Sequence, residues 1–432
     1  MLLQFSREFH LYSILLSFQI LIHITLVTKS ILPVNIKYLS EIPLRSRFVV
    51  GGRNPHKIEY LLFYYYTSIH ENMFPNQIQF GKQIAAAFMI PGIYSILAVA
   101  LTQSGKTGSM LSAIQHIPHD HVFIITGLSS VDWMQQTRER FPYKYRDSIF
   151  HRNQLHLFVQ KVKSLHNVLI IIDENQIAFK ERQTIHNSFV AAQLMDLSDL
   201  IHKNVRIVHF TATPNNANDF IQSHFAKVVQ MKHDASYVSA FDLFDQGRIL
   251  EYKDLCGAIQ GEDYSKLDWK RPSDYSVDPL VFDRIREIAP FLKDPKYHII
   301  RTSHSCFHDL TILNFKQVFP QAEFLSETDF DVILDQVLQI KPSRHTFIFI
   351  KEKLRCAKTL QKDHLGVLYE RFTKKPKMDT ILQGLVGRLT GYHDNRDAVV
   401  FSNTQLVSDY RQQWETIFVD SLHKPIFIGT SF

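Results

Sequence analysis

The sequence lacks the cysteine pairs that would cross-link a small fold or hold a zinc ion. It has three cysteines in 432 residues, Cys256, Cys306 and Cys356, and no Cys-x-x-Cys pair. Disulfide scaffolds and zinc ribbons need close, paired cysteines, so both classes are excluded. The 22 histidines are scattered, and none lies in the spacing of a metal site. This cysteine usage is typical of a reducing compartment, and we expect an intracellular protein, cytoplasmic or nuclear.

Low-complexity tracts and internal repeats are also lacking. Hydrophobic residues make up 45% of the chain and charged residues 21%, which excludes a disordered protein and allows a large core. The length indicates about two or three domains. The net charge of +6 suits a polyanionic partner.

One stretch near the N-terminus has no charged side chain. It runs over residues 9–28, FHLYSILLSFQILIHITLVT, and is long enough to span a bilayer. However, His10, Gln19 and His23 dilute it, and its flanks, Arg7 and Lys29, show no clear charge bias. A membrane anchor, a buried helix and an extension that packs on the rest of the chain stay open. We do not expect a membrane partner, and residues 1–70 are a candidate surface for a protein partner.

Short apolar runs alternate with helical segments from about Asn76 onwards, which is typical of βαβ units and parallel sheets. We therefore predict an α/β fold with two lobes, over 71–235 and 296–432, joined by a linker or insertion over 236–295. A single long helix is expected over 182–202. The expected strands cover 95–102, 122–128, 168–174 and 205–214 in lobe 1, and 297–303, 322–327, 346–351, 366–371 and 398–403 in lobe 2.

A candidate phosphate-binding loop, ALTQSGKTG, covers Ala100–Gly108 between an expected strand and an expected helix. Gly105 allows the backbone to approach phosphates, and successive amides of the loop point at them. Lys106 is placed to bridge the β- and γ-phosphates, and the Thr107 hydroxyl to ligate Mg²⁺. Ser104 and Gly108 complete the predicted cradle for ATP. The alternative is an ordinary turn.

A second candidate element, IIIDENQ, covers Ile170–Gln176 and ends an apolar strand in two carboxylates. Ligands of open α/β sheets bind at the carboxyl ends of the strands. Asp173 is therefore a candidate to hold Mg²⁺, and Glu174 to orient or deprotonate an attacking water. Alone, such a run is often only a strand that enters a solvated turn. Its position downstream of the loop, in the same lobe, favours the functional interpretation.

Together with TATP at 211–214, these elements resemble superfamily 2 helicases and translocases. QSGKT looks like motif I, DENQ like the DExx box and TATP like motif III. Motifs Ia, IV, V and VI are expected, in this order, where the sequence reads ITGLSS, IIRTS, KEKLRCAKTL and QGLVGRLTGY. The resemblance covers about residues 76–403 in the family's order. It implies two RecA-like lobes, ATP with Mg²⁺, and a DNA or RNA partner held by its backbone.

The resemblance also implies roles for further residues. Arg388 would be an arginine finger that reaches across the cleft. Residues that would couple the ATP site to movement are Gln176, Thr211, Thr213, Gln383 and Gly387. Candidate nucleic-acid contacts are Thr126, Gly127, Arg301 and Arg355. Gln79 or Gln83, upstream of the loop, could serve as the adenine-reading glutamine, although the spacing is loose.

Motif VI departs from the family pattern. Gln383 stands four residues before Gly387, not three, and Gly391 replaces a second arginine. Motif V lacks its usual Gly-Asp pair. The motifs are similar to those of divergent helicase-like proteins of large DNA viruses and mobile elements. A viral protein that acts in the host cell or virion therefore fits.

Two function classes follow from the resemblance. The first is a nucleic-acid-dependent ATPase that acts as a helicase or translocase. The second is a helicase-like scaffold that binds nucleic acid or a partner with weak or no ATP turnover. An ATPase whose strand-directed activity belongs to a partner subunit is a third option.

Overall fold

A computed structural model describes eight segments of the chain. They cover residues 73–129, 131–174, 182–213, 226–270, 276–304, 306–326, 334–351 and 359–423. All of them lie in one compact unit, Asn72–Phe432. The expectations for residues 1–70, for Gln176 and for Arg355 in the motif V segment lie outside the described residues.

Lobe 1 contains six strands in one parallel sheet. The strands are β1 Ser95–Val99, β2 His121–Thr126, β3 Ile149–Phe150, β4 Val168–Asp173, β5 Val205–Thr211 and β6 Ala226–Gln230. Their order in the sheet is β3-β2-β4-β5-β1-β6, and every pairing is parallel. β1 is buried along its whole length, as expected for a parallel strand that is covered on both faces.

Within the described part of lobe 1, six helices flank this sheet. They are α1 Pro75–Ala87, α2 Lys106–His116, α3 Val131–Arg140, α4 Leu155–Val162, α5 Thr184–Ala192 and α6 Leu197–Lys203. The expectation of one long helix over 182–202 is wrong: α5 ends at Ala192, the next residue, Gln193, adopts φ 57°, and α6 begins after Asp196. A left-handed residue ends a helix by turning the chain away from its axis. Within the described residues, no helix is long and apolar enough to cross a membrane.

Lobe 2 contains a second parallel sheet of six strands. They are β7 Ile249–Glu251, β8 Tyr297–Thr302, β9 Glu323–Ser326, β10 Thr346–Lys351, β11 Leu365–Tyr369 and β12 Val399–Ser402. The order is β7-β12-β11-β8-β10-β9, again with every pairing parallel. β7 lies in the segment that we interpreted as linker, so that segment contributes an edge strand to lobe 2.

Seven helices accompany the second sheet in the segments that the structure describes. They are α7 Ala240–Asp245, α8 Pro279–Arg286, α9 Cys306–Val318, α10 Leu334–Val337, α11 Met378–Leu382, α12 Leu385–Leu389 and α13 Thr404–His423. One face of the sheet packs an aromatic cluster in which Phe315 contacts Phe347 and Phe349 at centroid distances of 5.1 and 5.3 Å. The predicted fold, two α/β lobes with parallel sheets and flanking helices, is confirmed.

Candidate nucleotide-binding site

The predicted phosphate-binding loop lies between β1 and α2, where the sequence placed it. Gln103 and Gly105 adopt left-handed backbone angles, with φ 59° and 89°. Gly105 is the residue before the first turn of α2, which begins at Lys106. The first amides of a helix have no partner within the helix. The loop therefore directs unsatisfied N–H groups at one place, as phosphate binding requires.

Gln77 of α1 packs against this loop. A Cβ atom on Gly105 would lie 1.8 Å from Gln77 Nε2, and one on Gly108 would lie 2.0 Å from Gln77 Oε1. Both positions therefore require glycine while Gln77 is in place. Gln79 is exposed, so Gln77 is the glutamine of α1 that is buried beside the loop. Nothing in the local pattern distinguishes it from its neighbours.

The acidic pair lies at the carboxyl end of β4. Trp133 Nε1 donates a hydrogen bond of 2.8 Å to Asp173 Oδ2. Glu174 adopts φ 55°, and its Oε1 lies 3.3 Å from Lys106 Nζ. The Thr126 hydroxyl donates to the carbonyl of Asp173 at 3.0 Å, which ties the end of β2 to the end of β4. The lysine of the loop and the acidic pair therefore form one site.

Burial changes the acidity of this site. It raises the pKa of the Asp173 carboxyl to about 6, and the charge of Glu174 raises it further. The Lys106 ammonium and the Trp133 hydrogen bond oppose this shift in the pKa. A divalent cation beside Asp173 would favour the ionised form, since an opposite charge stabilises a carboxylate.

The segment that resembles motif III connects the two lobes. The Thr211 hydroxyl donates to Thr213 O and accepts from Thr213 N, both at 3.1 Å, so the turn after β5 is held internally. The Tyr410 hydroxyl, from α13 of lobe 2, donates to the carbonyl of Ala212. This contact was not predicted, since a lone tyrosine in a helix carries no sequence signal.

Lobe 2 also contacts the acidic pair directly. Gln383 Nε2 donates a 2.8 Å hydrogen bond to Glu174 Oε2. Glu174 therefore contacts the loop lysine through one oxygen and lobe 2 through the other. Arg388 is 1% exposed on the short helix α12, so it lies inside the protein and not on a surface.

The helix that carries Arg388 packs closely on the phosphate-binding loop. A Cβ on Gly387 would lie 2.6 Å from Thr102 Cγ2. The Thr390 hydroxyl donates to Thr102 O at 2.9 Å, and the Tyr392 hydroxyl donates to Ser104 O at 3.2 Å. The segment that resembles motif VI is therefore docked on the loop of lobe 1.

The described candidates for nucleic-acid contacts lie inside the protein. Thr126 and Gly127 are buried, and the Thr126 hydroxyl is used within lobe 1. Arg301 is 4% exposed, and its Nη1 lies 2.6 Å from Glu370 Oε1. Their role as nucleic-acid contacts stays a prediction.

The residues of the site fit a nucleotide with a divalent cation. Ser104 Oγ, Asp173 Oδ1 and Thr213 Oγ1 are buried with no hydrogen-bond partner among the described residues. Within the same residues, no group of three or more His, Cys, Asp or Glu side chains could hold a metal. Mg²⁺ usually takes one or two protein oxygens together with phosphates and waters. Thr107 and Asp173 are therefore sufficient candidates.

The fold is that of a protein with two RecA-like lobes, and the candidate phosphate-binding loop lies at their interface. No family model matches the chain. An uncharacterized protein of Acanthamoeba polyphaga mimivirus is 23% identical over 355 residues, which are 74% of this chain and 81% of that protein.

Two solved structures are similar in fold. S. cerevisiae Dbp5 bound to RNA and ADP BeF3 is 11% identical, with 81% of this chain and 92% of that chain covered and a TM-score of 0.41. The E. coli DExH-box NTPase HrpB is 10% identical, with 74% of this chain covered and a TM-score of 0.45. The chain spans 41% of the length of HrpB.

Proposed function

We propose that this protein is a nucleic-acid-dependent ATPase that moves along DNA or RNA as a superfamily 2 helicase or translocase. The observation that carries the proposal is the link from Lys106 through Glu174 to Gln383. This link joins the phosphate-binding loop, the acidic pair and lobe 2 in one buried site. A scaffold without turnover has no need of all three.

The side chains divide the chemistry as follows. Lys106 neutralises charge on the β- and γ-phosphates, and the amides that follow Gly105 bind the phosphate oxygens. Thr107 and Asp173 would hold Mg²⁺, which neutralises phosphate charge when bound. Glu174 orients the attacking water and accepts its proton. In the described structure Lys106 and Gln383 engage this carboxylate, so nucleotide binding has to rearrange both contacts.

In this proposal, the contacts between the lobes couple the nucleotide site to movement along the nucleic acid. Gln383 contacts Glu174, Tyr410 contacts the turn at Ala212, and Thr390 contacts the loop at Thr102. Each of these hydrogen bonds joins lobe 2 to a residue next to the nucleotide site. A change at the phosphates therefore reaches lobe 2 through three separate contacts. Nucleic acid would be held by its backbone, so sequence preference should be low.

The test is an ATPase assay of the full chain with single- and double-stranded DNA and RNA. We expect stimulation by at least one of them, loss of turnover in Lys106→Ala, and about 10²- to 10⁴-fold slower turnover in Glu174→Gln with nucleotide binding retained. Glu139→Gln changes an exposed glutamate of α3 and is the matched control. Turnover in Lys106→Ala or Glu174→Gln at the wild-type rate would refute the site. No turnover with any nucleic acid would favour the scaffold.

A further inference from the structure

Helix α12, which carries Arg388, has five residues and so makes very few hydrogen bonds of its own. Each end of a helix leaves several N–H or C=O groups without a partner inside the helix. A helix this short is therefore defined mainly by what its ends contact. Two charged side chains of lobe 2 supply those contacts.

Glu370 holds the N-terminal end of α12. Its Oε2 accepts a 3.1 Å hydrogen bond from Leu385 N, the first residue of the helix. Its Oε1 lies 2.6 Å from Arg301 Nη1 in an ion pair whose side chains are each 2% exposed. A Cβ on Gly384 would lie 2.6 Å from Glu370 Oε2, so the glycine before the helix permits this close approach. The buried pair therefore fixes where α12 begins.

Lys362 holds the C-terminal end. Its Nζ donates to the carbonyls of Leu389 and His393 at 3.1 and 2.9 Å, and also to that of Thr390. The lysine is 6% exposed, and the Asn395 side chain donates to the backbone carbonyl of Lys362. One ammonium therefore satisfies three carbonyls of the segment at and after the end of the helix.

The segment held in this way is also the one that contacts lobe 1. The carbonyl of Thr390 accepts from Lys362 Nζ, and the hydroxyl of the same residue donates to Thr102 O. Gly387 packs on Thr102 from within α12. We propose that Glu370 and Lys362 are positioning residues that hold both ends of α12 and thereby place Arg388 at the phosphate-binding loop. The proposal rests on the proposed ATPase function, in which Arg388 acts on the nucleotide.

The alternative is that Lys362 only stabilises the fold of lobe 2. Burying an ammonium is costly, and a well-packed apolar side chain in its place often makes the fold equally stable. The protonation of Lys362 distinguishes the two. Burial lowers the pKa of Lys362 to about 8, with Arg248 lowering it further and Asp394 opposing the shift. A neutral amine has two hydrogens for three carbonyls, so the hold on the segment weakens above about pH 8.

The experiment compares Lys362→Met, Lys362→Arg and the exposed control Lys341→Met. We expect Lys362→Met to lower kcat about 10- to 100-fold, since misplacing a catalytic group by about 1 Å costs this much, with little change in the affinity for ATP. Wild-type kcat should fall above about pH 8. Lys362→Arg should keep most of kcat at pH 7. Its kcat should not fall above about pH 8, because the guanidinium stays charged. Lys341→Met should match wild type.

Hydrogen exchange of the amides of residues 385–393 supplies a second readout that needs no turnover. In wild type we expect their protection to fall between pH 7 and pH 9, beyond the change in intrinsic exchange, and we expect Lys362→Arg to remove that fall. An unchanged pH profile of kcat and of protection in Lys362→Arg would overturn the proposal, as would full kcat in Lys362→Met. If wild type hydrolyses no ATP, the proposed function fails, and the exchange data still decide whether Lys362 holds α12.

Discussion

Two histidines that are buried without charge should make the protein sensitive to acid. His298 of β8 is fully buried; its Nδ1 accepts from Val367 N at 3.0 Å, and its Nε2 lies 3.0 Å from His345 Nδ1. Burial lowers the pKa of His298 to about 3, and the charges of His345 and Lys296 lower it further. Burial alone lowers the pKa of His209, in β5, to about 3.

The direction and size of the effect follow from these pKa values. In the unfolded chain a histidine takes up a proton below about pH 6.5, whereas His209 and His298 stay neutral in the fold. Their folded pKa values are depressed, so stability is complete above about pH 6.5 and is lost as the pH falls below it. Each contributes about 1.4 kcal/mol per pH unit, hence about 4 kcal/mol for the pair between pH 6.5 and pH 5. Proteins of this kind are stable by only about 5–15 kcal/mol.

Urea unfolding at pH 7.5 and pH 5.0 measures this loss. The variant His298→Asn keeps an acceptor for Val367 N, and we expect its difference between the two pH values to be about 2 kcal/mol smaller than that of wild type. His304→Asn, at an exposed position, is the matched control and should behave as wild type. A wild-type free energy of unfolding that is equal at both pH values, or an undiminished difference in His298→Asn, would refute the reasoning.

Three further predictions concern the contacts between the lobes and the N-terminal extension. Gly387→Ala places a methyl group close to the Leu382 carbonyl and 2.6 Å from Thr102 Cγ2, and it should lower kcat with little change in ATP affinity, as measured by ATPase and nucleotide-binding assays. Arg388→Lys keeps the positive charge but loses the planar guanidinium, which can hold two phosphate oxygens at once. Turnover should therefore fall far more than ATP affinity, and stimulation by nucleic acid should be lost. A chain that begins at Asn54 should stay soluble and bind ATP, because every motif lies beyond it; sedimentation and nucleotide binding check this.

The fold and the first part of the site could be predicted from the sequence because their signals are local. β4 is a run of buried apolar residues that ends at Asp173, and this pattern predicts both a parallel strand and a site at its end. The loop before Lys106 is recognisable because one short segment supplies its glycine, its lysine and the start of a helix.

The rest of the site could not be predicted, because its residues act through contacts between distant segments. Four single polar residues lie in ordinary helices, in a loop or just after a strand, and each acquires its role only from what packs against it: Gln77, Lys362, Glu370 and Tyr410. The ion pair of Arg301 with Glu370 inside lobe 2 is a further contact between distant segments that the sequence does not indicate.

The irregular spacing of motif VI has a structural account. α11 ends at Leu382 and α12 begins at Leu385, so the segment is two short helices and not one. The extra residue lies at this break, which Gly384 forms. Gln383 still donates to Glu174 across the lobe boundary.

Gly391, which stands in place of a second arginine, has a backbone conformation and contacts that favour glycine. It adopts φ 114°, and a Cβ there would lie 3.4 Å from the Gln103 side chain. Its amide and carbonyl pair with Val238 at 2.9 and 3.0 Å. A glycine here lets lobe 2 lie directly on the phosphate-binding loop, where an arginine would be strained. Under the proposed function, Arg388 is the described residue of lobe 2 that would supply charge to the transition state, and its placement would depend on the contacts that Glu370 and Lys362 make at the ends of α12.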